Sequence, residues 1–147
     1  MLENLYKQIV MDHYKNPRNR GKLDTTGGAF SLPYKNPTCG DVVVLYMNVD
    51  ESGRIADIKF EGEGCSISMA SCSMMTELVK GKTVEQAKEL IGHFNDMIRQ
   101  GVIPEDEDLL GDALALSGVH KLRARHNCSL LGWQGLEKAI KQSVAAE

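Results

Sequence analysis

Apolar positions recur along this chain with two periods, and the changes of period mark its elements. Over residues 2–14, Leu2, Leu5, Ile9 and His13 fall on one helical stripe with Tyr6 and Val10 beside it, which predicts an amphipathic helix. It stops at K-N-P-R-N-R-G, where Pro17 biases Asn16 away from helix and Gly21 permits a turn. The period then shortens to two. Residues 29–34 predict a short strand, and from Val42 to Val49 every residue but Asn48 is apolar or aromatic. Val43, Leu45, Met47 and Val49 fall on one face of that strand and Val42, Val44 and Tyr46 on the other. D-E-S-G at 50–53 supplies turn chemistry, after which Ala56, Ile58 and Phe60 alternate with Asp57, Lys59 and Glu61. A hairpin results, half buried and half wet.

G-E-G-C at 62–65 ends the second strand of that hairpin and delivers Cys65 to a helix start, with Gly62 and Gly64 allowing a close backbone approach. Helical spacing returns with Ile67, Ala70, Met74 and Leu78, and Gly81 lies where that helix should end. Thr83 with Gln86 forms a capping-box pattern; Val84, Ala87, Ile91, Phe94 and Ile98 continue it as a long amphipathic helix closed by Gly101. Pro104 and the acidic run at 105–108 interrupt the order. The run lacks the acidic and glycine spacing of a calcium loop and reads as a solvated helix start. Leu109, Ala113 and Leu116 predict a shorter helix ending near Gly118. The last helix starts near Cys128 and carries Trp133, Leu136, Ile140 and Val144 along one side. The order of helix, about three antiparallel strands and then helices defines an α+β domain, a small sheet with helices packed on one face.

At 147 residues the chain suits one domain, 1–147, with a real core. A net charge of −3 gives no support for a nucleic-acid partner. The basic cluster Lys15, Arg18, Arg20 and Lys22 reads as a solvated cap rather than a docking patch. The first twenty residues carry Asp12, several cations and no long apolar run, so neither a secretory signal nor a membrane span is expected, and the protein is expected to be cytoplasmic. In a reducing compartment, four cysteines point to metal ligation or reactive thiols rather than disulfides.

Three of those cysteines sit at junctions. Cys39 and Asp41 stand two residues apart in N-P-T-C-G-D just before the apolar strand, and Cys65 and Cys128 each fall at a helix start, where free N–H groups and the helix dipole favour negative charge. Thiolates and a carboxylate are ligands that divalent zinc or iron accepts. Cys39, Asp41, Cys65 and Cys128 therefore make a candidate tetrahedral zinc set with a formal charge of about −2. Asp41 is either a ligand or an outer group that tunes the ion's lability. His120 and His126 compete for the fourth place but read better as surface or core imidazoles. Met69, Met74 and Met75 read as core filling, and Cys72 as a buried small residue rather than a spare thiol.

N-P-T-C-G-D, F-E-G-E-G-C-S-I-S-M-A-S, the late Cys128 with its helix, and D-H-Y-K-N-P-R-N near the start closely resemble the IscU/NifU-like family of iron–sulfur cluster assembly proteins, over nearly the whole chain. Within it the sequence is most similar to the SufU branch. The stretch from Cys65 to Cys128 is longer than in typical IscU scaffolds, with the extra length around residues 101–112, and the scaffolds' L-P-P-V-K segment is absent. Asn127 stands where those scaffolds carry a histidine before the third cysteine, His126 is out of register with that ligand, and Arg125 occupies a position where SufU proteins place an arginine.

The resemblance implies zinc-dependent sulfur transfer, from a pyridoxal-phosphate cysteine desulfurase of the SufS type to a cluster-building complex of the SufBCD type. Such an acceptor needs an ionised and sterically free thiol. Cys39 is assigned that role because a loop cysteine moves more easily than one fixed at a helix start. Docking on the desulfurase is expected to free Cys39 from the ion, with a partner side chain taking its place. Arg125 either steers the anionic persulfide or pairs with Asp41, or is an ordinary surface arginine. The alternative function is a scaffold on which a [2Fe–2S] cluster forms on the same cysteines. A purely structural zinc module is disfavoured by the absence of compact finger spacing, and zinc hydrolase chemistry by four protein ligands that leave no place for water.

Overall fold

The computed structural model describes residues 2–25, 29–36 and 40–145. Its sheet is antiparallel, in the order β1 (Phe30–Lys35), β2 (Val42–Val49), β3 (Ile55–Glu63). The period-two pattern of β2 is realised as expected: Val43, Leu45 and Met47 are buried, and Val42, Val44 and Tyr46 face the wetter side. Helices α2 (Ser66–Val79) and α4 (His126–Ala145) cover the buried side, with α1 (Leu2–Lys15) and α3 (Val84–Gln100) beyond them. Gly135 lets α4 lie close on the sheet, since a methyl group there would stand 3.2 Å from Leu45 Cδ1. This is the expected α+β arrangement.

Helix α3 shows how local chemistry sets the boundaries. Thr83 and Gln86 form both bonds of the capping box, and Gly101 closes the helix in the left-handed conformation at φ 73. Phe94 of α3 stacks on Trp133 of α4 with ring centroids 4.3 Å apart. Helix α2 is buried nearly all round, including its Met69, Met74 and Met75. Polar groups tie α1 to it. His13 is fully buried, its Nδ1 2.8 Å from Ser73 Oγ and its Nε2 2.8 Å from Asp112 Oδ2. Glu77 lies near that pair but faces Arg18 at 3.6 Å, so these groups form a pairing network between elements. The basic cluster after α1 is likewise engaged, with Arg18 bonded to Asp12 at 2.6 Å and Lys22 3.8 Å from Glu61.

Three expectations are corrected. Leu5 is 51% exposed; α1 turns Ile9, Val10 and His13 inward instead, while the side chains of Leu2 and Val144 lie outside the described residues. Ala56 is exposed and Ile55 is buried, because a register shift at Asn48/Val49 pairs Val49 with Ile55 but Asn48 with Asp57, leaving Ala56 as the extra residue of a bulge. The segment after the acidic run is not an α-helix. It consists of 3-10 turns at Glu107–Leu109, Gly111–Lys121 and Arg123–Arg125, with Leu110, Ala113, Leu116 and Val119 buried and Leu109 40% exposed. A spacing of three is the 3-10 repeat, so this pattern puts one inward residue on every turn.

That phase is testable. Leu110→Ala is expected to lower unfolding stability by about 2–5 kcal/mol and Leu109→Ala by no more than about 0.5, measured by denaturant titration. An α-helical phase with Leu109 inward would reverse the order.

Candidate metal centre

The β2–β3 register builds the first half of the site. Val42 pairs with Glu63, which sets Asp41 against Gly64 at the mouth of the hairpin. Both glycines are required by contact: a methyl on Gly62 would lie 2.2 Å from Val42 O, and one on Gly64 2.7 Å from Asp41 Cγ. Cys65 then caps α2 in an extended conformation without using its own side chain as a cap. Asp41 serves there from outside the helix, its Oδ2 accepting from the Ser68 hydroxyl and, at 3.4 Å, from the Cys65 N–H. The Ser68 Oγ is also 3.4 Å from Cys65 Sγ.

The second half comes from α4. Cys128, buried, is its third residue, reached through the 3-10 turn Arg123–Arg125. Side-chain bonds lock the start of α4 to α2: Ser71 Oγ donates to Ser129 O at 2.6 Å and accepts from Trp133 Nε1 at 3.0 Å, while Ser129 Oγ donates to His126 O at 2.9 Å. Cys72 packs on Gly132 so closely that a methyl there would sit 2.7 Å from Cys72 Sγ.

The two halves converge. One ligand atom each from Asp41, Cys65 and Cys128 lies within 4.8 Å of the others. Tetrahedral zinc with thiolate and carboxylate ligands spaces such atoms about 3.5–3.8 Å apart, so the donor set fits that ion after small side-chain rotations. Cys39 lies outside the described residues; its neighbour Gly40, at φ 72, donates its N–H to Asn36 O at 3.2 Å. His120 and His126 contribute no nitrogen to the group. His120 Nδ1 bonds Ile98 O at 2.9 Å and His126 Nε2 bonds His120 O at 2.7 Å, so both rings are anchored to backbone carbonyls. Arg125 is exposed, and among the described residues no ion pair joins it to Asp41. Asn127 accepts from Arg99 Nη2 at 3.0 Å, linking the end of α3 to the residue before Cys128.

Ser68 was not among the candidates drawn from the sequence. The usable signal is its place one turn after Cys65, which puts its hydroxyl on the same side of the helix as that thiol.

The sequence pattern of the NifU-like N-terminal domain matches residues 5–145. The chain is 50% identical to a Bacillus subtilis protein named zinc-dependent sulfurtransferase SufU, over 95% of this chain and 91% of that one. It is 44% identical to a Streptococcus pyogenes protein named iron-sulfur cluster assembly scaffold protein IscU, over 99% of this chain and 89% of that one. A crystal structure of a protein described only as hypothetical superposes with a TM-score of 0.86 at 45% identity, covering 94% of this chain and 98% of its own. The chain belongs to the IscU/NifU-like family and closely matches its SufU branch. That membership supports a role in iron–sulfur cluster assembly and sulfur handling. No helix among the described residues is long and apolar enough to cross a membrane.

Cys72 is fully buried in the core. Burial pushes its thiol up from 9.0 to about 12, the Asp41 charge adds to the rise, and a bond to the Gly132 backbone opposes it. Because the folded state keeps this proton while an exposed thiol loses it, the stabilisation is whole below pH 9.0 and is lost as pH climbs toward about 12. The loss approaches about 1.4 kcal/mol per pH unit. Denaturant titrations of chelator-treated protein from about pH 8 to 11 should show a steeper alkaline decline in the parent than in Cys72→Ala. Parallel slopes would contradict the assignment.

Proposed function

We propose that this chain is a zinc-dependent sulfur-transfer protein, accepting sulfur from the persulfide of a pyridoxal-phosphate cysteine desulfurase and passing it to a cluster-building complex, in the cytoplasm. The observation that carries the reading is the meeting of Asp41, Cys65 and Cys128, brought from three separate elements to within ligand distance of one another. The name of the Bacillus subtilis relative points the same way.

In this reading Cys65 and Cys128 are the fixed anchors, held at the first turns of α2 and α4, and Asp41 is the third ligand. Cys39, next to Gly40 in the sequence, is the fourth ligand and the acceptor. When bound, zinc supplies a positive centre that favours thiolate over thiol. The Cys39 thiolate attacks the outer sulfur of the donor's persulfide; the donor's S–S bond breaks, its cysteine leaves as thiolate, and Cys39 carries the new S–S bond. No net oxidation occurs, since one persulfide is exchanged for another. Lys121, Arg123 and Arg125 are exposed in the run that leads into Cys128, and in this reading their positive charge attracts that anionic sulfur. Arg125 is the steering residue closest in sequence to the ligand.

A second reading, a scaffold for a [2Fe–2S] cluster, is favoured by the name of the Streptococcus pyogenes relative. Metal content separates the two. Sulfur transfer requires tightly held zinc and a colourless protein, whereas a scaffold would yield a coloured cluster on anaerobic reconstitution that moves intact to an apo-acceptor.

The decisive measurement is desulfurase turnover with this protein before zinc removal, after it, and after restoration. Stimulation is expected to disappear and return with the metal, and Cys39→Ala is expected to leave turnover at the level of the desulfurase alone. Normal sulfur acceptance by Cys39→Ala would sink the assignment. Arg125→Ala should raise the protein concentration needed for half-maximal stimulation, more at low salt than at high.

A further inference from the structure

We propose that Ser68 is the residue that positions Asp41 for the metal, holding one carboxylate oxygen so that the other is presented between Cys65 and Cys128. The inference rests on the reading of Asp41 as a ligand and adds a residue to that site.

Ser68 is fully buried on α2, one turn beyond Cys65. A serine inside a helix ordinarily turns its hydroxyl back to a carbonyl of the preceding turn. Here the hydroxyl reaches across to another element, donating to Asp41 Oδ2 at the start of β2. A hydroxyl bonded to a carboxylate makes a charge-assisted contact, stronger than a neutral one. The same oxygen is 3.4 Å from Cys65 Sγ, so one buried group touches two members of the candidate ligand set.

The rest of the cradle leaves Asp41 dependent on that bond. The Cys65 N–H approaches the same Oδ2 at 3.4 Å, a longer contact, and Gly64 offers a bare backbone wall with no side chain to grip. All three surfaces act on one edge of the carboxylate. A carboxylate fixed by one oxygen binds an ion through the other, and fixing it in advance removes rotational freedom that would otherwise be lost on binding. Without the hydroxyl, Asp41, which is only half-buried, can swing toward water. A ligand set of cysteines alone carries no such requirement, because Cys65 and Cys128 are placed by their own helices.

The test uses the full chain, zinc, and a competing chelator, with no sulfur donor present. Ser68→Ala should weaken zinc binding by about 10–100-fold, the range typical for groups that orient metal ligands. Ser68→Thr, which restores a hydroxyl, should recover most of the loss. In an Asp41→Ala background Ser68→Ala should cost nothing further, because its effect passes through Asp41. Cobalt-loaded Ser68→Ala should show an absorption spectrum shifted toward that of cobalt-loaded Asp41→Ala. The melting temperature of the chelated proteins controls for folding, and an equal loss in chelated and zinc-loaded Ser68→Ala would make Ser68 merely structural and overturn the proposal. So would zinc affinity unchanged in Ser68→Ala while Asp41→Ala is weakened, or equal losses in both backgrounds. Unchanged affinity in Asp41→Ala would instead remove Asp41 from the ligand set, and the role of Ser68 with it.

Discussion

The contact on which the site depends is the seam between α2 and α4. Cys128 can meet Cys65 only if the two helices start from the same place, and the groups that force this lie within two turns of both cysteines. Ser71 is bonded to both Ser129 and Trp133, and Cys72 is pressed against the bare backbone of Gly132. The Ser71–Ser129 and Cys72–Gly132 contacts join small residues, which lets two backbones approach and leaves little room for sliding. The sheet then adds the third participant. Pairing of β2 with β3 carries Asp41 to the mouth of the hairpin where α2 begins.

The burial of α2 follows from this geometry. It packs against α1, α4, β3 and the 3-10 segment, so every side chain from Ser68 to Thr76 is enclosed. Hydroxyls on such a helix must find partners, and its buried serines find them on other elements, Ser68 on Asp41, Ser71 on Ser129, Ser73 on His13 and the Arg18 N–H, while Thr76 turns back to Ser73 O of its own helix. The helix thus works as a polar spine inside an apolar core. Its serines fix neighbours in register where leucines would only fill space.

Much of the fold was legible because local chemistry and tertiary packing agree. The capping box at Thr83, the closing Gly101 and the alternation of β2 each predict a boundary or a face that the packing respects. Where they disagreed, the cause is identifiable. A bulge at Ala56 breaks strict alternation without any change of residue type that would announce it. The Leu110, Ala113, Leu116, Val119 series has a period of three, which a search for three-and-four spacing assigns to an α-helix with the wrong phase. For the site, cysteines and an aspartate at element junctions could be read directly from residue type. Ser68 could not, since a serine in a buried stripe carries no mark of its partner, and that partner lies 27 positions away.

The chain contains one tryptophan, and it stands on this seam, its indole nitrogen bonded to Ser71 and its ring stacked on Phe94. Any rearrangement that parts the two cysteine-bearing helices must therefore alter the surroundings of a solitary indole. The protein carries its own fluorescent gauge at the hinge of its chemistry, readable without a label.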